Sequence, residues 1–511
     1  MDGAFDFENI FVFDLANNHQ GSVEHGLAII RGVGEVARKH KCRGLMKFQF
    51  RDLDSFVHPS HKKDSDNKHI PRFLQTRLQR DDYQTLLNEV RKQGLMAACT
   101  PFDEASVGMI VDMGFDVLKI ASCSAQDWPL LECAAEANLP IIFSTGGLET
   151  AHIDDLVSFF DHRGVDTAIM HCVSIYPTPE EDCQLNQISA LKNRYRDKTI
   201  GWSTHEDQDA TAPIQIAHAL GARMFERHVG LATDKIKLNA YSSTPKQLDC
   251  WLKAHEQVVR LCGAKQRPPA VDAERLAIEG LRRGVYAAKA IRKGQTIDRA
   301  HVYFAMPNVE GQLSSGEWKK GIVANSNFDA DAPVDASAVT LPDVPDYQII
   351  KNALHDVKAL LNEARVPLNS SFEVEYSHHY GMKDFRQVGA VIINCINRAY
   401  CKKIMVQLPG QRHPAHFHRR KEETFQVLHG EVHVTMDGHE RVLRTGETCL
   451  IQPGVWHSFW TDTGCIFEEV STTHYNNDSF YKDKRINEME RSERKTIVDH
   501  WGRFQTAPAD G

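Results

Sequence analysis

Short apolar runs that each end in polar residues recur along the first half of the chain. The runs occupy residues 10–15, 44–49, 96–100, 116–121, 140–145, 168–173, 199–204 and 224–229. An amphipathic stretch with helical spacing follows each run. Continuous apolar strands that alternate with helices indicate a parallel sheet buried on both faces. Eight such units in about 250 residues predict an α/β fold, with a (β/α)8 TIM barrel over residues 1–265. The alternative, an open doubly wound sheet, lacks a GxGxxG motif to support it.

The polar ends of these runs carry the candidate chemistry. In a TIM barrel, the C-terminal strand ends and the loops after them form the active site. One polar strand residue is most often a hydrogen-bonded core group, but polar ends on all eight strands favour a shared site. The residues at these ends are Asp14, Lys47, Gln49, Thr100, Lys119, Ser122, Ser144, Ser174, Tyr176, Ser203, His205, Glu226 and His228.

The residue types at this mouth predict a phosphate site beside a metal site. Lys47 and Lys119 would bring two ammonium groups together, among several hydroxyl groups, and this combination suits an anionic phosphate. His205 and His228 end neighbouring strands, so their imidazoles can hold one divalent ion and leave positions open for substrate.

The same segments resemble the sialic acid (N-acetylneuraminate) synthase family. In order, they are VFDLANNHQG, LMKFQF, ACTPFD, VLKIASCS, FSTGG, HCVSIYPTP, GWSTHED and FERHV. A later segment, RRGVYAAKAIRKGQTIDRAHVYFAMP, resembles the small β-rich antifreeze-like (SAF) domain that follows the barrel in that family. The resemblance places this domain at residues 280–345. It implies a homodimer in which the SAF domain of one subunit covers the barrel of its partner.

This resemblance also implies a reaction. C3 of phosphoenolpyruvate attacks a sugar aldehyde polarised by Mn²⁺ or Mg²⁺, water adds at C2, and phosphate leaves by C–O cleavage to give a 3-deoxy-2-ulosonic acid. His205 and His228 would bind the metal, and Ser174 stands where the family has a phosphate-binding Asn. The residues expected to hold phosphoenolpyruvate are Lys47, Thr100, Lys119, Ser122, Ser144 and Ser203. Those expected near the sugar or the reacting carbons are Asp14, Gln49, Tyr176 and Glu226.

Several positions depart from the family pattern. Asp14 replaces a Glu, and Ser124 replaces an acid. Leu238 and Asn239 stand at an Asp-His pair, and Met306 stands at the arginine of the SAF domain. In the family most of these positions face the sugar. Losing a buried polar donor usually means that its partner group is absent, because unpaired polar groups are costly. We therefore expect an acceptor aldose other than N-acetylmannosamine.

The C-terminal third carries a second metal motif. Residues 346–370 predict a helical linker, and residues 371–490 have the short strands and turn residues of an all-β barrel. Two segments, GQRHPAHFHRRKEETFQVLHG and GETCLIQPGVWH, contain His416, His418, Glu423 and His457. Strand residues two apart face the same side, so His416 and His418 project together. Three imidazoles and a carboxylate suit Mn²⁺, Zn²⁺, Fe²⁺, Ni²⁺ or Co²⁺ without selecting among them.

These two segments closely resemble cupins, although Gln452 and Trp460 replace a usual Pro and Asn. The surrounding sequence, which includes FEEVSTTHYNNDSFY, resembles the D-lyxose isomerase type of cupin. Such enzymes interconvert an aldose and a ketose with a divalent metal, and Lys421, Glu469 and His474 are the candidate proton-handling groups. The hypothesis is a bifunctional chain whose cupin makes or binds the aldose that the barrel condenses. A cupin that senses sugar or stabilises the dimer is an equal alternative.

Composition narrows the choice of partners. The chain has 511 residues, and its formal net charge of −8 argues against a nucleic-acid partner. No apolar run reaches the roughly 18 residues that span a bilayer, and the acidic N-terminus is unlike a signal peptide. Without CxxC pairs, a reduced cytoplasmic protein is expected. The charged tail at residues 491–511 has a helical pattern typical of a solvated face.

Three other functions stay open at this point. One is an N-acetylneuraminate synthase proper with a non-catalytic, sugar-binding cupin. Another is a catalytically inactive sugar-binding or regulatory protein, which Asp14 and Ser124 favour. The third is an aldolase that uses Lys47 or Lys119 as a Schiff base, although two lysines beside several hydroxyls suit phosphate better. The charged segment 50–80 is long enough for either a lid or a solvated loop.

Overall fold

A computed structural model describes residues 4–63, 65–265, 267–369 and 372–498, except for the side chain of Thr204. The chain divides into two compact units, Met1–Pro269 and Ala270–Gly511. Among the helices of the described residues, none combines the length and the apolar character that crossing a bilayer requires.

The first unit is a closed parallel barrel of eight strands, which confirms the predicted TIM barrel. Each predicted apolar run agrees with one strand to within one residue. The strands are β1 Ile10–Asp14, β2 Arg43–Phe50, β3 Met96–Pro101, β4 Val117–Ile120, β5 Ile141–Ser144, β6 Thr167–Cys172, β7 Thr199–Thr204 and β8 Met224–His228. The helices are α1 Val23–His40, α2 Leu53–Phe56, α3 His69–Gln75, α4 Arg80–Lys92, α5 Glu104–Met113, α6 Trp128–Glu136, α7 Thr150–Asp161, α8 Asn186–Arg194, α9 Ala212–Ala219 and α10 Pro245–Cys262.

The alternation of side chains along the strands decides which residues face the barrel interior. An inner core of apolar residues fills the lower part of the barrel, and it includes Val12, Leu45 and Val117. A separate, larger core packs the outer faces of the strands against the helices. Since side chains two apart on a strand share a face, the residue two positions after an inner one also points inward. Asp14, Lys47 and Lys119 follow those three residues, so the polar strand ends continue the inner core upward.

The second unit begins with α11 Asp272–Glu279 and a small β region. Its strands are β9 Gly284–Ala287, β10 Thr296–Ile297, β11 Val302–Ala305, β12 Ile322–Ala324 and β13 Val339–Thr340. They form a two-stranded and a three-stranded sheet around a core of their own. This region falls within residues 280–345, where a SAF domain is predicted, and the assignment to that domain stays a prediction.

A long helix and a second set of strands follow. The helix is α12 Asp346–Ala364, close to the predicted linker. The strands are β14 Glu373–Ser377, β15 Ala390–Asn397, β16 Tyr400–Gln407, β17 Arg412–His418, β18 Glu423–Met436, β19 His439–Arg444, β20 Thr448–Ile451, β21 His457–Trp460, β22 Cys465–Thr472, β23 Ser479–Tyr481 and β24 Lys495–Val498. Two short helices, α13 Lys484–Glu488 and α14 Arg491–Arg494, precede the last strand. The all-β architecture agrees with the predicted cupin.

Strand β18 joins the two parts of this β structure. Its first half pairs with β20 and β22, and its second half pairs with β19 and β21. The register shifts between Val427 and His429, and Gly430 follows with a φ of 74°. A side chain at Gly430 would approach the carbonyl of Gly464 to 2.5 Å. The glycine therefore permits the bend that lets one strand serve both parts.

The predicted charged tail begins with a helix and continues as a strand. Arg491–Arg494 is helical, in keeping with the sequence pattern, whereas Lys495–Val498 is an edge strand that pairs with β14. Lys495 Nζ lies 2.5 Å from Glu375 Oε1. In so short a segment the sequence pattern does not separate a strand from a helix. The rest of the predicted tail, residues 499–511, lies outside the described residues.

Candidate active site and metal centre

Four buried charged side chains meet at the mouth of the barrel. Lys47 Nζ lies 3.0 Å from Asp14 Oδ2 and 2.6 Å from Glu226 Oε1. Lys119 Nζ lies 2.5 Å from Glu226 Oε2. Two ammonium groups and two carboxylates therefore balance one another. Glu226 contacts both lysines and so lies at the centre of the cluster.

Burial and pairing shift the pKa values of these groups in different directions. Burial opposes the charged form of Lys47, but the carboxylates of Asp14 and Glu226 outweigh it and raise its pKa. For Lys119 burial is the larger effect, and its pKa is lowered despite Glu226. Burial favours the neutral acid of Glu226, yet Lys119 and Lys47 hold its pKa well below the usual range. Of the two ammonium groups, Lys119 is therefore the readier proton donor.

Aromatic rings gather beside this cluster. The imidazole centroids of His205 and His228 are 5.3 Å apart, and the ring centroid of Tyr176 lies 4.1 Å from that of His205. His228 Nε2 is 3.3 Å from Asp14 Oδ2. The ring centroid of Tyr241, from the loop after β8, lies 5.3 Å from that of His228. Tyr176 is 51% exposed, so this side of the cluster opens to solvent.

The two barrel histidines fit a divalent ion. His205 Nδ1 lies 3.0 Å from the carbonyl oxygen of Val173, which holds the proton on Nδ1 and leaves Nε2 as a ligand atom. Burial and the neighbouring His228 lower the pKa of His205 to about 3, so its ring is neutral and able to ligate. Burial also lowers the pKa of His228. Two imidazoles alone leave most of the coordination sphere to substrate and water.

The predicted hydroxyl groups lie around the same mouth. Thr100 is in register with Gln49, and its buried Oγ1 has no hydrogen-bond partner among the described residues. Ser203 is in register with Glu226, and Ser144 is buried at the end of β5. A buried hydroxyl without a partner is costly, so the orphaned Thr100 group fits a ligand that accepts a hydrogen bond.

Ser122 and Ser174 approach a glycine that a larger residue could not replace. The backbone N–H of Gly146 donates to Ser122 Oγ at 3.0 Å. A Cβ atom at Gly146 would lie 2.2 Å from Ser174 Oγ and 2.7 Å from Ser122 Oγ. The backbone and two hydroxyls therefore form one compact group of donors, of the kind that cradles an anion.

The cupin histidines form a tighter candidate metal centre. The ligand atoms of His416, His418 and His457 all lie within 4.8 Å of one another. Glu423 Oε1 is 3.3 Å from His418 Nε2, and its Oε2 is 3.2 Å from His457 Nε2. Neither contact is a hydrogen bond, and both nitrogens and Glu423 Oε2 lack a partner among the described residues. Acceptor atoms that face each other in this way fit a bound cation.

Backbone carbonyls orient all three of these imidazoles. His416 Nδ1 lies 3.1 Å from the carbonyl oxygen of Pro414. His418 Nδ1 lies 2.8 Å from that of Asp478, and His457 Nδ1 lies 3.1 Å from that of Val455. Each ring therefore keeps its proton on Nδ1 and turns Nε2 toward the centre. Burial, with the charge of the neighbouring histidines, lowers the pKa of His416 well below its usual value.

A second group of charges adjoins this metal centre. Lys421 Nζ contacts Glu423 and lies 3.0 Å from Glu469 Oε1. Lys403 Nζ lies 3.3 Å from the same oxygen and 3.3 Å from His474 Nδ1. The three candidate proton-handling residues therefore lie together, with Lys403 as a member that sequence reasoning missed.

The cavity at this centre has a volume of about 40 Å³. Because a water molecule needs about 10–15 Å³ of such space, the cavity has room for an ion with two or three water molecules.

Other residues that matter to the two sites gave no sequence signal. Tyr241 lies in an irregular loop, and Lys403 is one of two adjacent lysines on a strand. Asp478 accepts the backbone N–H groups of Arg419, Arg420 and Lys421 at 3.1, 3.1 and 3.0 Å. Its partners are more than fifty residues away, so only the folded chain shows the contact.

Comparisons with known proteins agree with this arrangement. Residues 35–267 match the model of the NeuB family, and residues 403–467 match that of the cupin domain. A solved structure of a Chromobacterium violaceum protein assigned to spore coat polysaccharide biosynthesis, protein E, is 43% identical. It covers 65% of this chain and 100% of its own, with a TM-score of 0.63.

Two curated relatives match the barrel region more distantly. N-acetylneuraminate-9-phosphate synthase of Drosophila melanogaster is 32% identical over 230 residues, which cover 43% of this chain and 59% of that protein. N,N'-diacetyllegionaminic acid synthase of Campylobacter jejuni is 25% identical over 256 residues, which cover 49% of this chain and 75% of that protein. Residues 35–267 are therefore a domain of the NeuB family, and a cupin domain follows toward the C-terminal end.

Proposed function

We propose that the barrel condenses phosphoenolpyruvate with the aldehyde carbon of a sugar and releases phosphate, giving a 3-deoxy-2-ulosonic acid. The observation that carries this proposal is the pair of buried ammonium groups, Lys47 and Lys119, beside the His205–His228 pair at one strand-end mouth. The synthases among the relatives support a condensation of this kind.

The chain's own residues supply binding and proton transfer. Lys47 and Lys119 bind the anionic groups of phosphoenolpyruvate, and the hydroxyls of Thr100, Ser122 and Ser174 donate hydrogen bonds to the remaining oxygens. C3 then forms a bond to the aldehyde carbon, whose oxygen takes a proton. Lys119 is the donor that we favour, because its pKa is lowered.

The second half of the reaction adds water and removes phosphate. Water adds to C2 and loses a proton, for which Glu226 and Asp14 are the nearest acceptors. The bond between C2 and the phosphate-bearing oxygen then breaks, and the new C2 hydroxyl gives its proton to the departing phosphate and becomes the ketone. A divalent ion held by His205 and His228 (Mn²⁺ or Mg²⁺) would polarise the aldehyde.

The proposed acceptor is an aldose other than N-acetylmannosamine. Asn239 stands near the Asp-His pair of the family pattern, and its Nδ2 donates to Asn18 Oδ1 at 3.3 Å. Met306 is an exposed apolar side chain where the resemblance places an arginine. Neither residue offers the charged donor that an N-acyl group is expected to meet.

We propose that the cupin binds one divalent ion and interconverts an aldose and a ketose, with Lys421, Glu469 and His474 handling the proton. The ligand set and the adjacent charges support this activity. A cupin that stabilises the dimer without binding sugar is the second candidate, favoured by the small cavity of about 40 Å³. Isotope exchange between aldose and ketose by the full-length chain with metal bound would separate the two functions.

We also propose the homodimer that the family resemblance implies, in which residues 280–345 cover the partner barrel. Light scattering should give twice the mass of one chain, 57.7 kDa. A monomer at micromolar concentration would contradict this part of the proposal alone.

The test of the main proposal is turnover of the full-length protein with phosphoenolpyruvate and a panel of aldoses. We expect phosphate release that requires both sugar and divalent metal, and a nine-carbon or shorter ulosonic acid by mass spectrometry. Phosphate release with no sugar dependence would contradict the condensation. Selective use of N-acetylmannosamine would contradict the proposed acceptor while leaving the condensation intact. Trapping by borohydride would favour a Schiff-base aldolase.

A further inference from the structure

A cavity of about 290 Å³ opens beside the charged cluster of the barrel. Its volume is near the lower end of the roughly 300–1,000 Å³ typical of small-molecule sites. Its lining includes Gln49, Arg51, Asp52, Arg77, Arg80 and Ser106. None of the roles assigned so far explains the cations in this lining.

Arg51 is held in the cavity wall by two aromatic rings. Its guanidinium carbon lies 4.0 Å from the ring centroid of Phe73 and 3.6 Å from that of Phe102. Rings on a guanidinium face stabilise the cation and fix its plane, so its N–H groups point outward along the edge. Burial lowers the pKa of Arg51 to about 10, which leaves the side chain charged at neutral pH.

The Arg51 charge has no carboxylate partner among the described residues. Nη2 donates to Gln49 Oε1 at 3.3 Å, and the buried Nε has no hydrogen-bond partner. The Arg51 side chain is half-buried, and a cation partly withdrawn from water usually pairs with an anion. The site is therefore incomplete as it stands.

The other charged groups of the cavity already have partners within the protein. Arg77 Nη2 lies 2.7 Å from Asp54 Oδ2, and Arg80 Nη1 lies 3.6 Å from Asp112 Oδ2. The Asp52 carboxylate accepts from the Asp54 N–H at 3.4 Å and from Ser55 Oγ at 2.6 Å. Arg51 is thus the cation in this part of the described chain that awaits an anion.

A second unpaired donor lines the same cavity. The buried Oγ of Ser106 has no partner among the described residues. Its hydroxyl is a donor that an oxyanion would use, and it comes from α5, on a different element from Arg51. Two orphaned donors from separate elements indicate a polar ligand rather than an unfilled gap.

Gln49 connects this cavity to the reacting centre. Its Oε1 accepts from Arg51, while its Nε2 donates to Asp14 Oδ2 at 3.4 Å. Asp14 in turn contacts Lys47 and His228. A sugar whose aldehyde lies at the charged cluster would therefore extend past Gln49 toward Arg51.

We propose that Arg51 binds an anionic group, a phosphate or a carboxylate, at the end of the acceptor aldose remote from its aldehyde. This inference rests on the proposed condensation, since it names the class of acceptor. The planar N–H edge of a guanidinium pairs with two oxygens of either group.

The experiment compares three acceptors of one stereochemistry with the full-length, metal-loaded protein: the neutral hexose, its 6-phosphate and the corresponding uronic acid. We expect the kcat/KM of one anionic acceptor to exceed that of the neutral sugar at least ten-fold, and the preferred anion identifies the group. In Arg51→Gln that ratio should fall at least ten-fold, chiefly through KM, and Arg51→Lys should restore part of it. Arg31→Gln, which removes an exposed cation of α1 outside the cavity, should leave the ratio within two-fold.

Equal kcat/KM for neutral and anionic sugars, or an equal loss for all three acceptors in Arg51→Gln, would overturn the inference. Calorimetric binding of the 6-phosphate and of the uronic acid without phosphoenolpyruvate separates it from the proposed function. Binding that is weakened ten-fold by Arg51→Gln, in a protein that releases no phosphate, would reject the condensation and keep the anion site. Absence of binding by either anion to a chain that turns over neutral sugars would reject the anion site alone.

Discussion

The barrel mouth and the cupin centre both place lysines, carboxylates and histidines together in a buried site, but these groups are paired differently in the two. In the barrel the two carboxylates are matched by two lysines, and the two imidazoles stand to one side. In the cupin three imidazoles and the Glu423 carboxylate converge on one point, and the Nδ1–H groups of the imidazoles point away from it. A metal centre built wholly from side chains is complete before substrate arrives, whereas the barrel site is completed by its ligands.

The largest expected effect tests the barrel side of this contrast. Lys119→Met removes one of the two ammonium groups and leaves Glu226 paired with Lys47 only. Removing one preorganised donor of developing charge typically lowers kcat by about 10²–10³-fold. We expect a loss of that size in phosphate release from phosphoenolpyruvate, measured at saturating sugar and metal. Lys39→Met, on an exposed face of α1, is the control and should act like the wild type. A loss under ten-fold would show that Lys119 has no part in the chemistry.

The next effect tests how the cupin keeps a charged pair buried. Burial opposes the charged form of Glu375, but Lys495, Lys403 and Arg491 hold its pKa at about 2, against a usual 4.5. Lys495→Met should destabilise the cupin by about 3 kcal/mol, the lower end for breaking a buried pair, since Arg491 stays within 3.1 Å. Urea unfolding followed by cupin tryptophan fluorescence measures this, with exposed Lys484→Met as the control.

The sign of the pH dependence follows from the same pair. The folded-state pKa of Glu375 is depressed, so its stabilisation is present above pH 4.5 and is lost as the pH falls toward 2. The difference between the wild type and Lys495→Met should therefore shrink over that range. A constant difference from pH 5 to pH 2.5 would contradict the assignment.

A third effect tests whether the ligands of the cupin centre are held in position before an ion binds. Asp478→Ala frees the three backbone N–H groups that fix the segment between His418 and Glu423. Loss of such supporting contacts typically weakens metal binding by about 10–100-fold. Competition with a chelator of known affinity should show this decrease, and exposed Asp462→Ala should not. Unchanged affinity would mean that the ligands hold their positions without this segment.

The last effect, of a size similar to the third, returns to the barrel. Thr100→Val keeps the shape of the side chain and removes the orphaned hydroxyl. A hydrogen bond to a charged ligand contributes about 1.5–3 kcal/mol, so the KM for phosphoenolpyruvate should rise about ten-fold or more. Stability should be unchanged or slightly higher, because no partner in the free protein is lost. A lower melting temperature with an unchanged KM would show that the hydroxyl serves the fold instead.

The sequence was most informative where local pattern and function coincide. All eight barrel strands follow from continuous apolar runs, and alternation then placed Asp14, Lys47 and Lys119 in the interior. The His416-x-His418 spacing predicted a shared face for the same reason. The sequence carried no signal for contacts between distant segments, such as Glu226 with both lysines or Lys403 with Glu469. The strand at Lys495–Val498 was missed because four residues are too few to show a period, and its partner β14 lies over a hundred positions earlier.

Asp478 contacts both the candidate metal ligands and the neighbouring charged group of the cupin. Its carbonyl oxygen sets the tautomer of a metal ligand, while its carboxylate gathers the backbone that presents Lys421. The candidate metal ligand His418 and the proposed proton-handling Lys421 therefore depend on one residue. A change that loosens this support is expected to move both at once, so the two parts of the centre have little freedom to vary separately.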